Sequence, residues 1–414
     1  MTTHPIAVIG SGYIGSLMAI SLAKRNQSVF LVDPTPLSHH LKTDSDGRAI
    51  SITQASKHTF EQLGLWEALA PHAEPLLTVR TQESTGEEMC LSTEHAQDQP
   101  LGYMVDAKAL KDTLLQKAHN TPLITCFTDR ITHLEYHTPF DSSLEVHLAN
   151  EGSFLASLVI GADGTQSRTR QCMNLRTHQW SYDQTAFVRV YQHTSDHQGY
   201  AYEKFLETGP FAILPLPGNR SSIVWSASHE KAKQLSALSE EAFDQEAFQH
   251  MKGYEGLTPC SPVRSWPLKG LWTPHFVGHR MALVGDAAHR IHPLAGQGFN
   301  LGAQDVQVLE ETISKGLSLG LDIGSRTLLQ QYEQKQRWQH LTLLGVTEGL
   351  NRLFSNEDAT LKWIRKRGLQ LVEGSPTLKS FFARKGTGLK SAPFSSKEER
   401  SKSTSSDKVA HEFS

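Results

Sequence analysis

The chain has 414 residues, enough for two packed domains rather than one small one. A net charge of −3 gives no electrostatic case for a nucleic-acid partner, and we expect none. Four scattered cysteines without a C-x-x-C pair argue against a disulfide framework and a thiolate metal site, and they favour a reducing compartment.

The first elements follow a strand–turn–helix–strand pattern. Residues 6–9 are apolar and mostly β-branched, residues 13–25 have apolar positions at helical spacing, and residues 28–32 are again mostly apolar. This order predicts two parallel strands joined by a helix. No targeting segment fits before the first strand and no apolar run is long enough to span a membrane, so we expect a cytoplasmic protein.

The first strand and helix are joined by the turn Gly10-x-Gly12-x-x-Gly15, which in this context predicts a dinucleotide site. Gly10 would form the tight turn, Gly12 would let the backbone approach a pyrophosphate, and Gly15 would permit close helix–strand contact. Asp33, at the end of the second strand, would accept hydrogen bonds from a ribose. A turn that is glycine-rich by chance is the alternative, and the motif does not separate NAD from FAD.

Two polar motifs follow. Residues 45–51 place Arg48 among small and polar residues, where its guanidinium could bind phosphate or carbonyl oxygens; a solvated surface arginine is the alternative. Residues 161–170 place Asp163 at the end of an apolar strand, where it could hold a ribityl hydroxyl or only fix the loop. Between these motifs, residues 106–118 are predicted to form a helix.

The pattern changes between about residues 185 and 264. Residues 187–191, 211–216 and 222–225 are short strand candidates separated by glycine or proline. Because the helices needed for parallel crossovers are missing, we expect an antiparallel sheet, interrupted by one helix near residues 240–251.

Residues 285–302 carry the most informative pattern of the chain. A short apolar strand precedes Gly285-Asp286, the turn Gly296-Gln297-Gly298 follows, and a helix is predicted next. Backbone N–H groups at such a turn, together with a helix N-terminus, bind anionic groups, and Asp286 could accept hydrogen bonds from ribityl or phosphate-side groups. Two such turns suit a long ligand with a pyrophosphate and a second polar head, as FAD has.

His289 and His292 raise the question of a metal. They lie in one turn with Asp286 as the only carboxylate near them in sequence, which is poor ligand spacing. We expect structural or flavin-adjacent histidines and no metal.

The C-terminal part combines predicted helices with positive charge. Residues 327–355 and 358–383 have helical patterns, and residues 361–390 contain eight basic residues and one acid. Apolar residues interrupt the basic ones, so the segment could pack on the rest of the protein, meet an anionic membrane surface, or do both. The serine-rich residues 391–414 are predicted to be disordered.

Taken together, these motifs resemble the flavoprotein aromatic hydroxylases of the p-hydroxybenzoate hydroxylase fold. The string from His292 to Asn300 is similar to the signature of the ubiquinone-biosynthesis hydroxylases of the UbiH/UbiF/VisC type. Residues 46–50 and 203–215 are most similar to the 2-polyprenyl-6-methoxyphenol hydroxylases of that group. Two positions depart from the family pattern: Asp33, where many members carry glutamate, and Lys108, where relatives often place an arginine or a polar residue facing the cofactor.

The resemblance implies an α/β fold, with a Rossmann-like FAD-binding domain, an antiparallel-sheet substrate domain and C-terminal helices. The expected boundaries are 1–75, 100–180 and 265–355 for a discontinuous FAD-binding domain, 76–99 and 181–264 for the substrate domain, 356–390 for a basic helical segment, and 391–414 for the tail.

The resemblance also implies an FAD-dependent monooxygenase that hydroxylates a polyprenylated phenol with O₂, through a flavin C4a-hydroperoxide. NAD(P)H would be a transient donor, since a second Gly-x-Gly-x-x-Gly unit is missing from the sequence. Expected partners are the membrane surface and other ubiquinone-biosynthesis proteins. No catalytic side chain is assigned; residues 211–216 and Trp225 would form either a substrate wall or sheet core. The alternatives are a non-catalytic flavin-binding subunit and a flavin reductase or dehydrogenase on the same fold.

Overall fold

The computed structural model describes residues 4–42, 45–83, 86–136, 142–354 and 359–388, so the predicted disordered tail lies outside the described residues. The strands in these ranges are β1 Ile6–Ile9, β2 Val29–Val32, β3 Ala49–Ile52, β4 Ala73–Leu76, β5 Thr78–Glu83, β6 Glu88–Ser92, β7 Gly102–Asp106, β8 Ile124–Phe127, β9 Ile131–Glu135, β10 Leu144–Leu148, β11 Ser153–Ala156, β12 Leu158–Gly161, β13 His178–Gln192, β14 Tyr200–Leu206, β15 Gly209–Leu216, β16 Arg220–Ser228, β17 Thr258–Pro259, β18 Arg264–Trp272, β19 Val277–Gly278, β20 Met281–Leu283 and β21 His289–Arg290. The helices are α1 Tyr13–Lys24, α2 Leu37–Lys42, α3 Gln54–Gln62, α4 Trp66–Leu69, α5 Ala107–His119, α6 Arg168–Cys172, α7 His229–Ser236, α8 Glu240–Phe248, α9 Gln297–Ser318, α10 Arg326–Phe354, α11 Ala359–Glu373 and α12 Pro376–Gly386. Short 3₁₀ turns lie at Ala70–His72, Thr93–Ala96, Gly285–Ala287 and Leu294–Gly296.

A parallel sheet with the order β19-β20-β12-β1-β2-β8 forms the first layer, and only the edge strand β19 is antiparallel to its neighbour. Its central strands are apolar on both faces, as a sheet covered on both sides requires. One face packs against α1, α5, α9 and α10. The other face packs against the small antiparallel sheet β11-β10-β9. The predicted strand–helix–strand unit is therefore confirmed.

A second, larger sheet has the order β21-β18-β13-β16-β15-β14-β5-β6, with β17 paired to β13. It is antiparallel except where β14 runs parallel to β5. Strands β5 and β6, which lie early in the chain, thus join a sheet whose other strands all begin at or after His178. Sheet β3-β7-β4 lies between the two large sheets and packs against β15.

Two helices, α7 and α8, cover one face of the large sheet, where the sequence predicted one. Their side chains close a core around Phe211, Trp225 and Phe243. Helix α7 is short and rich in charged residues, so its few apolar positions gave no clear period. The predicted helix over 358–383 is also two helices, since Ser375 caps a new helix with Pro376 at its first position.

The predicted α/β class, a Rossmann-like domain joined to an antiparallel-type sheet with C-terminal helices, is confirmed. No helix among the described residues is long and apolar enough to cross a membrane.

Candidate cofactor and substrate site

Three segments far apart in sequence meet at the carboxyl ends of β1, β12 and β20. A Cβ on Gly10, whose φ is +101°, would lie 2.5 Å from the Ala162 carbonyl oxygen. A Cβ on Gly302 would lie 2.8 Å from the Ile14 side chain. The buried Arg170 guanidinium donates to the Ala287 carbonyl at 2.8 Å and so ties the second motif to the third. This edge of a parallel sheet is where α/β proteins bind nucleotides.

The glycines of the two turns divide into two groups. At Gly10, Gly15, Gly285 and Gly296 a Cβ would crowd neighbouring protein atoms; the nearest atom would lie between 1.8 Å, for Gly15 against the Gly10 carbonyl oxygen, and 3.1 Å, for Gly285 against Ile14.

Gly12 and Gly298 differ, because no protein atom lies within 4 Å of a Cβ built on either residue. Packing therefore does not explain these two glycines. Both stand at helix N-termini, Gly12 as the N-cap of α1 without a side-chain cap and Gly298 in the first turn of α9. The first N–H groups of a helix have no partner within it, and they bind anionic groups. This arrangement fits the pyrophosphate and the flavin head of FAD.

Asp33 closes the first turn from the side. One carboxylate oxygen accepts the Ser11 N–H at 2.7 Å and the other accepts the Thr35 N–H at 2.8 Å. Each oxygen keeps a second lone pair for a ribose hydroxyl. The Asp33 side chain, shorter than the glutamate that many family members carry, is thus held by backbone N–H groups on both sides.

Asp163 bonds within its own loop. Its carboxylate accepts hydrogen bonds from the Ser167 hydroxyl, the Thr169 N–H and the Thr169 hydroxyl. These contacts favour the loop-fixing alternative over a direct bond to a ribityl hydroxyl.

Arg48 is a half-exposed arginine on the cofactor side of the large sheet. Its guanidinium pairs with Asp46 at 2.6 Å and lies 5.3 Å from the centre of the Trp266 ring. Tyr13 and Asp286 are both close enough to contribute to the raised pKa of this guanidinium. Arg48 therefore connects the first and third motifs electrostatically, which an isolated surface arginine would not do.

Asp286 lies on the wall of this cleft. Its side chain is exposed, yet the surrounding protein removes enough water to raise the pKa of its carboxyl, against the opposing effects of Arg290, His289 and Arg48. Exposed area combined with strong desolvation is what a group inside a concave site shows.

The family model for the FAD binding domain matches residues 3–341. The chain is 36% identical over 386 residues to the ubiquinone hydroxylase UbiL of Rhodospirillum rubrum, which covers 92% of this chain and 89% of that protein. It is 30% identical over 384 residues to the 3-demethoxyubiquinol 3-hydroxylase of Escherichia coli, covering 92% and 97%. The chain belongs to this family of FAD-dependent hydroxylases.

The expected family, enzyme class and FAD cofactor are thereby confirmed. The crystal structure of the p-nitrophenol 4-monooxygenase PnpA from Pseudomonas putida has the same fold, with a TM-score of 0.76 at 15% identity, covering 94% of this chain and 99% of that one.

The start of α9 in this FAD-dependent monooxygenase is held by Asn300. The Asn300 side-chain oxygen accepts the Thr53 N–H at 3.0 Å and the Ser56 hydroxyl at 2.8 Å, and its amide donates to the Ser51 carbonyl at 2.8 Å. The N-terminus of α9 is thus fixed to β3 and α3.

Asp305 is the residue that sequence analysis missed. It lies on the buried face of α9, where its carboxylate accepts hydrogen bonds from the Gly285 N–H at 3.0 Å, His289 at 2.6 Å, His340 at 2.7 Å and Gln336 at 2.9 Å. Burial raises the pKa of Asp305, but the two histidines and these hydrogen bonds hold it well below its usual range. The sequence placed Asp286 nearest to His289; the carboxylate that contacts this histidine is Asp305, sixteen residues further along.

His292 has a separate role. Its Nδ1 accepts the Leu294 N–H at 3.2 Å, so Nε2 carries the proton and donates to the Gln184 side-chain oxygen at 2.9 Å. Complete burial lowers the pKa of His292 to about 4. This neutral histidine fixes the turn before Gly296 to the large sheet.

The large sheet presents one face to the cofactor domain. A Cβ on Gly47 would contact Val188 and Val190 at 3.6 Å, and Ser222 donates to the Gly47 carbonyl at 2.6 Å. Directly paired residues share a face, so Val224 and Ala212 also look toward the cofactor domain. Phe211 and Trp225 lie on the opposite face under α7 and α8, which makes them sheet core.

Proposed function

We propose that the protein hydroxylates the aromatic ring of a polyprenylated phenol in ubiquinone biosynthesis, at the 2-polyprenyl-6-methoxyphenol step. Membership of a family whose relatives carry ubiquinone hydroxylase names supports the reaction class. Residues 46–50 and 203–215 support the particular step. The single observation that carries the proposal is the pair of helix N-termini at Gly12 and Gly298, where no protein atom lies within 4 Å of a built Cβ.

Reduced FAD, when bound, activates O₂ and supplies the oxygen atom that is transferred. The chain's own residues bind and orient it. The N-terminus of α1 would hold the pyrophosphate and Asp33 the ribose. The N–H groups at the start of α9 would stabilise negative charge on the flavin. The apolar side chains of Val188, Val224 and Ala212 would exclude water from the reacting ring.

The electron donor is proposed to be NAD(P)H bound transiently. Rapid mixing of the flavin-loaded protein with NADH or NADPH tests this, because bleaching of the flavin absorbance reports reduction directly. Bleaching by neither nucleotide, with or without a short-chain prenylphenol, would contradict the proposal and point to a protein donor.

Product analysis tests the reaction itself. We expect the purified protein to retain FAD and to convert a short-chain 2-prenyl-6-methoxyphenol into a product heavier by one oxygen atom, detected by mass spectrometry. A strain lacking the protein should accumulate the unhydroxylated phenol. Flavin retention without oxygen transfer would favour the non-catalytic subunit, and flavin reduction with only peroxide formed would favour the reductase.

An anionic membrane surface is the proposed partner, through α11 and α12. Among the side chains of these helices that the structure describes, four large apolar ones are exposed, with Arg367, Arg384 and Lys385 exposed beside them. The apolar four are Trp363, Leu371, Phe381 and Phe382, exposed by 60%, 67%, 53% and 45%. Apolar side chains interleaved with cations are typical of helices that lie on anionic lipid.

Arg365 does not belong to this surface. It is 4% exposed and pairs with the buried Glu83 at 3.1 Å, so it anchors α11 to β5. The neighbouring Lys366 pairs with Glu87 at 2.6 Å. A test of lipid binding should therefore leave both residues unchanged.

We expect the protein to co-sediment with vesicles containing phosphatidylglycerol, and to do so less at high salt. The double variant Phe381→Ser/Phe382→Ser should bind these vesicles at least tenfold more weakly. Leu319→Ser, which removes an apolar side chain that is 61% exposed in the turn after α9, is the matched control. Equal binding by the double variant and the control would refute the proposed surface and favour delivery of the substrate by another protein.

A further inference from the structure

One carboxyl group on the cofactor-facing side of the large sheet has no structural explanation. Register relates Val188 of β13 to Val224 of β16, Val224 to Ala212 of β15, and Ala212 to Glu203 of β14. Because paired residues share a face, Glu203 projects from the same face as Val188, which packs against the loop of Arg48.

The rows on either side of Glu203 confirm this orientation. Two residues before it, Ala201 packs with Met104 and Leu214 in the core beneath β7. Two residues after it, Phe205 stacks on Phe354 of α10 at 3.8 Å between ring centres. With a strand spacing of about 4.8 Å, Glu203 lies roughly 14 Å across the sheet from Val188. A flavin ring and a substrate ring placed side by side along this face would span about this distance, so Glu203 would meet the substrate ring.

Glu203 differs from every other acid on this face. Glu83, one strand away, is neutralised by Arg365. Tyr202 and Lys204 point to the opposite face, and on α10 Glu348 and Arg352 pair with each other at 4.0 Å. Among the described residues, none forms a hydrogen bond or an ion pair with the Glu203 carboxylate. The residue is partly exposed to solvent.

We propose that the Glu203 carboxylate accepts the proton of the substrate's phenolic hydroxyl and so activates the ring for hydroxylation. The O–H bond breaks and its electron pair stays on oxygen, which enriches the ortho and para carbons. The ring carbon would use that electron density to bond the oxygen atom that bound FAD supplies, as the O–O bond to that atom breaks. The hydrogen on the ring carbon then leaves to water as a proton, and the proton on Glu203 returns to the phenolic oxygen. This inference rests on the proposed function and names the acid–base group of that same site.

The chemistry of the group agrees with its position. Burial alone raises the pKa of Glu203 from 4.5 to about 7, and no nearby charge opposes the rise. A carboxylate with this pKa is a roughly 300-fold stronger base than an ordinary one, and so better matched to a phenol near pH 7. An acid left unpaired in a cleft costs stability, and such costs are retained at functional sites.

Three variants separate the roles of Glu203. Glu203→Gln keeps the shape and removes the base, and Glu203→Asp keeps the base on a shorter arm. Glu207→Gln makes the same change of charge at an exposed position in the next turn and is the control. Each is loaded with FAD, reduced in the absence of oxygen, and mixed with O₂ and a short-chain prenylphenol.

We expect wild type and Glu207→Gln to hydroxylate with a rate that falls below about pH 7. Glu203→Gln should bind the phenol with a dissociation constant within a few-fold of wild type, hydroxylate at least about 100-fold more slowly, and lose the pH dependence. Glu203→Asp should recover part of the rate. An unchanged rate and pH profile in Glu203→Gln would overturn the inference while leaving the proposed function intact.

A second readout needs neither flavin nor turnover. Because the folded protein holds the proton of Glu203 to about pH 7, wild type should lose melting temperature relative to Glu203→Gln as the pH rises from 4.5 to 7. Parallel curves would show that Glu203 does not titrate as required and would also overturn the inference. If wild type showed the expected titration but transferred no oxygen to any phenol, the proposed function and the role of Glu203 in it would fall together.

Discussion

Replacing Asp305 by asparagine tests whether this buried carboxylate holds the turn Gly285–Ala287 onto α9 and α10. One carboxylate oxygen serves His340 and Gln336, and the other serves the Gly285 N–H and His289. Asparagine keeps one acceptor oxygen and places an NH₂ group at the other position. Whichever way the amide turns, one obligate donor, the Gly285 N–H or the Gln336 amide, then faces an NH₂ group; the histidine beside it can accept in its other tautomer.

The expected cost follows from the one donor that loses its acceptor. A buried donor left without a partner costs about 1–3 kcal/mol, so Asp305→Asn should lower the free energy of unfolding by that amount, within a total of about 5–15 kcal/mol. Because the folded pKa of Asp305 is depressed, the stabilisation it gives is present above about pH 4 and is lost as the pH falls below that value.

Urea unfolding followed by tryptophan fluorescence gives the free energy, and absorbance of the purified protein gives the FAD content. Glu310→Gln is the control, since this carboxylate lies on the same helix but pairs with Arg25, whose side chain is 58% exposed. It should cost no more than about 1 kcal/mol. If Asp305→Asn is as stable as that control and retains as much FAD, the network does not hold the turn.

Further predictions concern single side chains. Gly12→Val should fold, because its Cβ meets no protein atom, but should purify largely without FAD; full flavin occupancy would show that the pyrophosphate lies elsewhere. Gly298→Asp should retain FAD and lower its reduction potential in a dye-coupled titration, since a carboxylate would stand beside the negative charge of the reduced flavin. His292 is buried neutral, so stability should fall by up to about 3 kcal/mol as the pH drops from 6.5 to 4; His292→Gln should flatten that slope in thermal unfolding.

The parts of the fold that the sequence predicted depend on local pattern. The strand–helix–strand unit has apolar strands, a glycine turn and helical spacing within one short stretch, so its parallel pairing follows from chain order. The break between α11 and α12 had a local signal as well, the Ser375-Pro376 start of a helix. The position of β5 and β6 in the large sheet had none, because β5 joins that sheet through β14, more than a hundred residues away.

The parts of the site that the sequence did not predict depend on which face a side chain occupies. Asp305 carried a usable signal, because it falls on the apolar stripe of α9 between Leu301 and Leu309. A carboxylate on such a stripe must find partners inside the protein. Glu203 carried no such signal, since each face of β14 contains both polar and apolar residues. Only its pairing with β15 and β5 shows that it lies on the same face of the sheet as Ala212.

Helices α11 and α12, the proposed membrane surface, contact the sheet on which the proposed catalytic group lies. Arg365 anchors α11 to Glu83 of β5, Ala383 of α12 packs in the core that contains Ala201, and Phe354 at the end of α10 covers Phe205. Glu203 lies between Ala201 and Phe205 on β14. A phenol whose hydroxyl meets Glu203 would therefore have its prenyl chain leave the cleft beneath α11 and α12. The exposed aromatic side chains of those helices would place that exit at the membrane surface, where a polyprenyl chain is most stable.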